Sequence, residues 1–182
     1  MNIYFTASIA GKKYYLPNYL KIIEILKNKK QRVIADHIVD ASESQIKLQT
    51  KTQREKFHKQ LKKWILDSDC LVVETSFPSI SVGFEISLGI NLGKPVLVLY
   101  TKDPPTLLSS YDDEKLILTK YDQNNLKEAL NDFINYVKGK SDLRFTFFID
   151  SHINNFLKEV SHKKRVPKSV YIRNLIQKAM KK

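Results

Sequence analysis

The segment 69–100, DCLVVETSFPSISVGFEISLGINLGKPVLVLY, holds the side chains best suited to chemistry. It reads as strand, loop, helix, strand. The apolar run 70–73 leads into a polar loop with Pro78, Ser79 and Ser81, and a helix is expected to begin at Gly83 with Glu85 in its first turn. Gly93-Lys94-Pro95 ends that helix, and 96–100 forms the next buried strand. Ligands of open parallel sheets sit at the carboxyl ends of the strands, so Glu85 and the two serines are aimed at a pocket. Serine hydroxyls and loop N–H groups near a helix N-terminus suit a phosphate. A carboxylate in the same place suits an electrophilic carbon. The helix dipole is expected to keep Glu85 ionised, the form required for glycosyl transfer through a covalent intermediate. Taken alone, a first-turn acid is equally explained by the dipole, and the serines by the loop.

These groups need a sheet to position them. The chain has 182 residues, 42% of them hydrophobic, which suits one medium domain with a small module. Apolar runs at 3–5, 33–35, 71–73 and 96–100 alternate with helical patterns, and 116–119 adds a short fifth strand; this predicts an α/β fold with a parallel sheet. The first strand is expected over 2–8 and the second over 32–39. Residues 11–17 read as a loop entering a helix with Leu20, Ile23 and Leu26 inward. Residues 40–51 read as a polar loop, and 53–67 as a helix with Phe57, Leu61, Trp64 and Ile65 on one face. A helix over 124–138 closes the first domain. In a parallel sheet, Tyr4 through Gly11 (YFTASIAG), Ser79 through Glu85, and Leu107 through Ser110 converge.

The net charge of +12 is unevenly spread. Residues 143–182 carry ten Lys and Arg against two Asp and Glu, leaving 21 against 17 in the rest. A basic tail of this kind favours polyanions, DNA among them, although solubility alone explains such charge as well. The single cysteine, Cys70, lies within a strand and reads as a small buried hydrophobe, not a disulfide or metal ligand. No leader or membrane span is visible in the sequence, which makes a cytoplasmic protein the expectation.

The motifs YFTASIAG, DHIVD at 36–40, and WILDSDCLVVETSFPSISVGFEISLGINLGKPVLVLY resemble the nucleoside 2-deoxyribosyltransferase superfamily, most closely its deoxynucleoside monophosphate N-glycosidase branch. The resemblance covers 1–110, with weaker agreement to 138. It implies a flavodoxin-like three-layer sandwich and an enzyme without metal or redox cofactor. Glu85 would be the nucleophile and Tyr4 its orienting partner. Ser8, Ser79 and Ser109 would hold the 5′-phosphate, Ser109 from a neighbouring subunit, so a homodimer or larger homo-oligomer is implied. Ile9, Gly11, Ser81 and Gly83 belong to the same phosphate-binding loops. In two places the chain departs from the family pattern. Leu61 stands where an aspartate is expected near the base, and Ala10 where the hydrolase branch commonly has an arginine. His37, Glu55 and His58 are the nearest side chains able to substitute for the aspartate.

After a linker at 139–142, the tail (143–182) resembles ribbon-helix-helix modules, through RFTFFID at 144–150 and RVPKSVYIRNLI at 165–176. Phe145, Phe147 and Ile149 alternate as the buried face of a paired ribbon. Arg144, Thr146 and Phe148 would face the DNA groove, and Lys168 and Ser169 a backbone phosphate. Helices are expected over 151–164, capped by Ser151, and over 170–180, capped by Ser169. The function expected is an N-glycosidase or deoxyribosyltransferase acting on nucleoside 5′-monophosphates. The alternative is a catalytically degenerate, nucleotide-sensing DNA-binding regulator.

Overall fold

Strands without polar alternation need apolar cover on both faces. In the computed structural model, which describes residues 1–111, 113–139, 149–164 and 168–180, five such strands lie side by side: β1 (Asn2–Ala7), β2 (Arg32–Ile34), β3 (Cys70–Glu74), β4 (Val96–Tyr100) and β5 (Leu116–Lys120). All pairings are parallel, in the order β2-β1-β3-β4-β5. This is the flavodoxin-like order, whose ligand crevice opens beside β1 and β3 at their carboxyl ends.

Side chains alternate across a strand, and the two core layers follow that rule. Ile3 and Phe5 of β1 join Tyr19 and Leu26 of α1 (Lys12–Asn28) and Leu130 and Phe133 of α7 (Leu126–Val137). Tyr4 points the other way, toward Leu61 and Ile65 of α4 (Lys51–Leu66) and Val82 and Ile86 of α5 (Ile80–Asn91). The three layers are therefore α1 and α7, the sheet, and α4 and α5.

Several elements differ from the sequence expectation. The second strand stops at Ile34, and the DHIV segment forms a short helix, α2 (Asp36–Val39). The expected loop after it contains α3 (Glu43–Lys47). Both α3 and α4 begin with reciprocal capping boxes, Ser42 with Gln45 and Thr50 with Gln53, which satisfy otherwise orphaned N–H groups. Helix α1 starts at Lys12 and runs through Pro17, and Leu20 lies on its outer face, Tyr19 and Ile22 taking the buried positions. Residues 106–109 form the short α6 (Thr106–Ser109). Among the described residues, no helix is long and apolar enough to cross a membrane.

The chain divides into two compact units, Met1–Asp142 and Leu143–Lys182. The second holds α8 (Ser151–Lys164) and α9 (Lys168–Ala179). The cap of α8 is Asp150, not Ser151: its Oδ1 accepts from Ile153 N–H at 2.7 Å, the bond an N-cap carboxylate makes. Helix α9 begins at Lys168, one residue before the expected cap position. Phe156 and Tyr171 meet edge to face, 6.4 Å between ring centroids. Arg144, Thr146, Phe148 and the side chain of Ser169 lie outside the described residues, as does most of the expected strand.

Candidate active site

Glu85 is buried and accepts a hydrogen bond from the Tyr4 hydroxyl at 2.9 Å. Two elements make this meeting. Tyr4 faces the α4–α5 side of β1, and Glu85 lies two turns into α5 on the face that also buries Val82 and Ile86. Helix α5 starts at Ile80, not Gly83, because Ser79 takes the cap and its hydroxyl accepts from Val82 N–H. Glu85 is thus in the second turn, beyond the strongest part of the helix dipole. Burial decides its ionisation instead: it raises the carboxyl's pKa from the ordinary 4.5, while Thr6 and Tyr4 partly oppose the rise. Thr6 is buried beside the carboxylate, its hydroxyl without a hydrogen bond among the described residues but near enough to favour the carboxylate's charge. The Tyr4 hydroxyl is itself pushed far up, by burial first and the Glu85 charge second, so it stays a neutral donor.

A carboxylate is nucleophilic only when ionised, so an activity that uses Glu85 is expected to fall as pH drops through its raised pKa. The acid limb of the kcat/KM profile is expected above 4.5. Tyr4→Phe removes a bond that favours the charged form, so it moves that limb to higher pH. It also lowers kcat/KM by about 10–100-fold, the worth of one hydrogen bond to a charged group. An unchanged limb in a pH-rate series rejects the orienting role of Tyr4.

Glu85 opens onto a cavity of about 450 Å³, within the range of small-ligand sites. Ser8, Ile9 and Ala10 line it from the β1 loop, Ser79 and Ser81 from the start of α5. His37, Ile38, Ala41, Glu43, Ile46, Gln49, Arg54 and Phe57 form the opposite wall. The Ser8 hydroxyl accepts from Gly11 N–H at 3.1 Å, which turns the loop back on itself. Gly11 and Gly83 are not in the cavity wall. Gly11 serves close packing, whereas a side chain at Gly83 would meet open space. Ser109 is exposed, gives its hydroxyl to Thr106 O at 2.7 Å, and does not line the cavity.

The base-side expectations sort clearly. Leu61 is core, packed with Tyr4 and Ile65, and is not in the cavity wall. Glu55 is exposed, and the His58 ring makes a tilted contact with Phe84 at 5.5 Å, outside the cavity. His37 does reach it. Its ring stacks on Tyr4 at 4.9 Å and lies 5.0 Å from the Trp64 ring. Both ring nitrogens are buried without a hydrogen-bond partner among the described residues, and burial lowers the imidazole to about 4. Thr6, Arg54 and Gln49 are site residues that the sequence reading missed. Thr6 was legible as part of the first-strand motif YFTASIAG; Gln49 lies in the stretch read as a polar loop, and Arg54 in the predicted helix 53–67 but off the face read as inward.

A larger cavity, about 1010 Å³, opens beside α1 and the start of α7. Its Lys21 and Glu24 pair with each other at 3.0 Å, and Glu85 is not among its lining residues.

A flavodoxin-like sheet with a buried glutamate–tyrosine pair beside a serine-lined loop defines a class of small-molecule site at the carboxyl edge of a parallel sheet. No protein-family model matches the chain. It is 34% identical over 104 residues to a Methanococcoides burtonii protein with the provisional name 2′-deoxynucleoside 5′-phosphate N-hydrolase 1, covering 57% of this chain and 83% of that protein. It is 28% identical over 109 residues to the 5-hydroxymethyl-dUMP N-hydrolase of Rattus norvegicus, covering 60% of this chain and 66% of the relative. The CMP N-glycosidase BcmB of Clostridium botulinum shares the fold, with a TM-score of 0.52 and 16% identity, over 75% of this chain and 99% of that one. The chain belongs to the 2′-deoxynucleoside 5′-phosphate N-hydrolase family.

Proposed function

We propose that the protein hydrolyses the N-glycosidic bond of a 2′-deoxynucleoside 5′-monophosphate. The observation that carries this is the buried Glu85–Tyr4 pair facing a cavity shared with Ser8, Ser79 and Ser81. Glu85 attacks the anomeric carbon, the C1′–N bond breaks, and the base leaves with its electron pair. Water then attacks C1′, loses its proton, and frees the Glu85 carboxylate. Two inversions give net retention. Leu61 supplies no acid, so the leaving base draws on other donors. His37, neutral and in the cavity wall, is the proposed source of an N–H hydrogen bond rather than a full proton. No metal or redox cofactor enters these steps.

A second copy completes the phosphate site in this reading. Ile80, Phe84 and Leu107 are exposed on α5 and α6, and Ser109 on α6 stands outside its own cavity. A homodimer that buries these apolar side chains would bring the partner's Ser109 to the phosphate. The test is base release from a panel of deoxy and ribo nucleoside 5′-monophosphates, followed by chromatography, with Glu85→Gln as control. Transfer to an added free base, scored in the same assay, separates hydrolase from transferase.

A second reading rests on the basic tail: the module binds double-stranded DNA, either beside catalysis or as a nucleotide-sensing regulator. Phe156, Leu175 and Ile176 are exposed in a unit of 40 residues or so, too small to bury an adequate core alone, which supports pairing with a second copy. Arg144, Thr146, Phe148, Lys168 and Ser169 are the proposed contacts. Lys168 Nζ donates to Asn154 Oδ1 at 2.8 Å, a bond it would share with or give up to a phosphate. In a gel-shift assay with duplex DNA, Arg144→Ala is expected to weaken salt-dependent binding by about tenfold or more. No retention of DNA by the full chain at low salt rejects this reading.

A further inference from the structure

The phosphate-facing loops present serines and backbone N–H groups, yet the dianion they would hold shares its cavity with Glu85. Two negative groups in one partly desolvated cavity repel, and a cation nearby offsets that repulsion. The loop's own neighbours do not provide it. Lys12 spends its ammonium on the carbonyls of Val39 at 2.6 Å and Ala41 at 2.7 Å. Lys13 lies over the Tyr14 ring, 5.5 Å from its centroid. Neither lysine lines the cavity, whereas Arg54 does.

Helix register places Arg54 at the correct level. Helices α4 and α5 each lead into the next parallel strand, so they run in the same direction on one face of the sheet. The ring of His58 on α4 meets that of Phe84 on α5 in a tilted contact, 5.5 Å between centroids. Arg54 lies one turn before His58, and Ile80 one turn before Phe84, so the register sets Arg54 near the level of Ile80, and Arg54 lines one cavity with Ser79 and Ser81. One guanidinium N–H is anchored on Gln49 O at 2.7 Å, which holds the head group against the wall formed by residues 43–54. A planar guanidinium with further N–H groups matches a phosphate bidentately.

We propose that Arg54 binds the dianionic phosphate monoester of the substrate, reaching across from α4 to the start of α5, and so sets the preference for nucleotide over nucleoside. The proposal rests on the nucleotide N-hydrolase reading above. It predicts that Arg54→Gln in the intact chain lowers kcat/KM for 2′-deoxyuridine 5′-monophosphate about 10–100-fold, mainly through KM, as loss of a charge-assisted bond should. Turnover of 2′-deoxyuridine is expected to fall by a clearly smaller factor, and Arg54→Lys to restore part of the loss. Calorimetry on the Glu85→Gln chain, with and without Arg54→Gln, reads the same difference without turnover. Equal losses for nucleotide and nucleoside, or no loss for the nucleotide, overturn the assignment. So does a wild-type chain that binds no nucleotide. Nucleotide binding that depends on Arg54 in a chain that releases no base supports the Arg54 assignment while rejecting the glycosidase reading.

Discussion

The protein carrying Glu85→Gln is expected to release no measurable base from any nucleoside 5′-monophosphate, a loss of about 10³-fold or more in kcat, the scale seen when a catalytic nucleophile is removed. The amide keeps the volume of the carboxylate, can still accept from the Tyr4 hydroxyl, and removes the charge that burial penalises. Folding is therefore spared, and a thermal-shift assay should show ligand binding intact. In the proposed mechanism the lost element is the anion that displaces the base. Turnover within tenfold of wild type would show that water attacks directly and that Glu85 serves another role. In the wild type, the acid limb reports the same carboxylate. It sits above the ordinary glutamate range because burial outweighs the bonds from Thr6 and Tyr4.

The second large effect is expected at Gly11. Its backbone is ordinary, with φ −67°, so the requirement is space, not conformation. A Cβ there would lie 2.5 Å from the Tyr19 hydroxyl and 2.7 Å from Phe77 Cβ. Neither neighbour yields easily. Tyr19 is fully buried and donates to Ser8 O at 3.2 Å, and Phe77 Cβ is fixed to its backbone. Gly11→Ala must therefore move the loop that carries Ser8, Ile9 and Ala10. A displacement of about 1 Å at a positioned site costs on the order of 10²-fold. The expected result is a kcat/KM for the nucleotide about 100-fold lower, with a smaller loss for the nucleoside, which does not use the phosphate loop. An unchanged kcat/KM would mean that the loop is not part of the site.

The tail illustrates the limit of pattern reading at an element's end. Ser151 and Asp150 are both good caps by type, and only the observed bond from Ile153 N–H to Asp150 chooses between them. The same competition moved the start of α5 from Gly83 to Ile80, since Ser79 offers an acceptor that Gly83 cannot. The short helices α2 and α3 escaped because four or five residues carry too little periodicity to distinguish a helical turn from a loop.

The sequence by itself determined the parallel α/β architecture, because four nearly unbroken apolar runs separated by helical patterns admit few other arrangements. It also brought Tyr4, Glu85, Ser8, Ser79 and Ser81 to one edge, through strand alternation and the rule that ligands gather at carboxyl ends. The ionisation of Glu85, the apolar role of Leu61, the histidine slot beneath Phe57 and Trp64, and the reach of Arg54 were decided only by tertiary structure. Each depends on desolvation or on contact between residues far apart in the chain, and neither quantity is carried by local spacing.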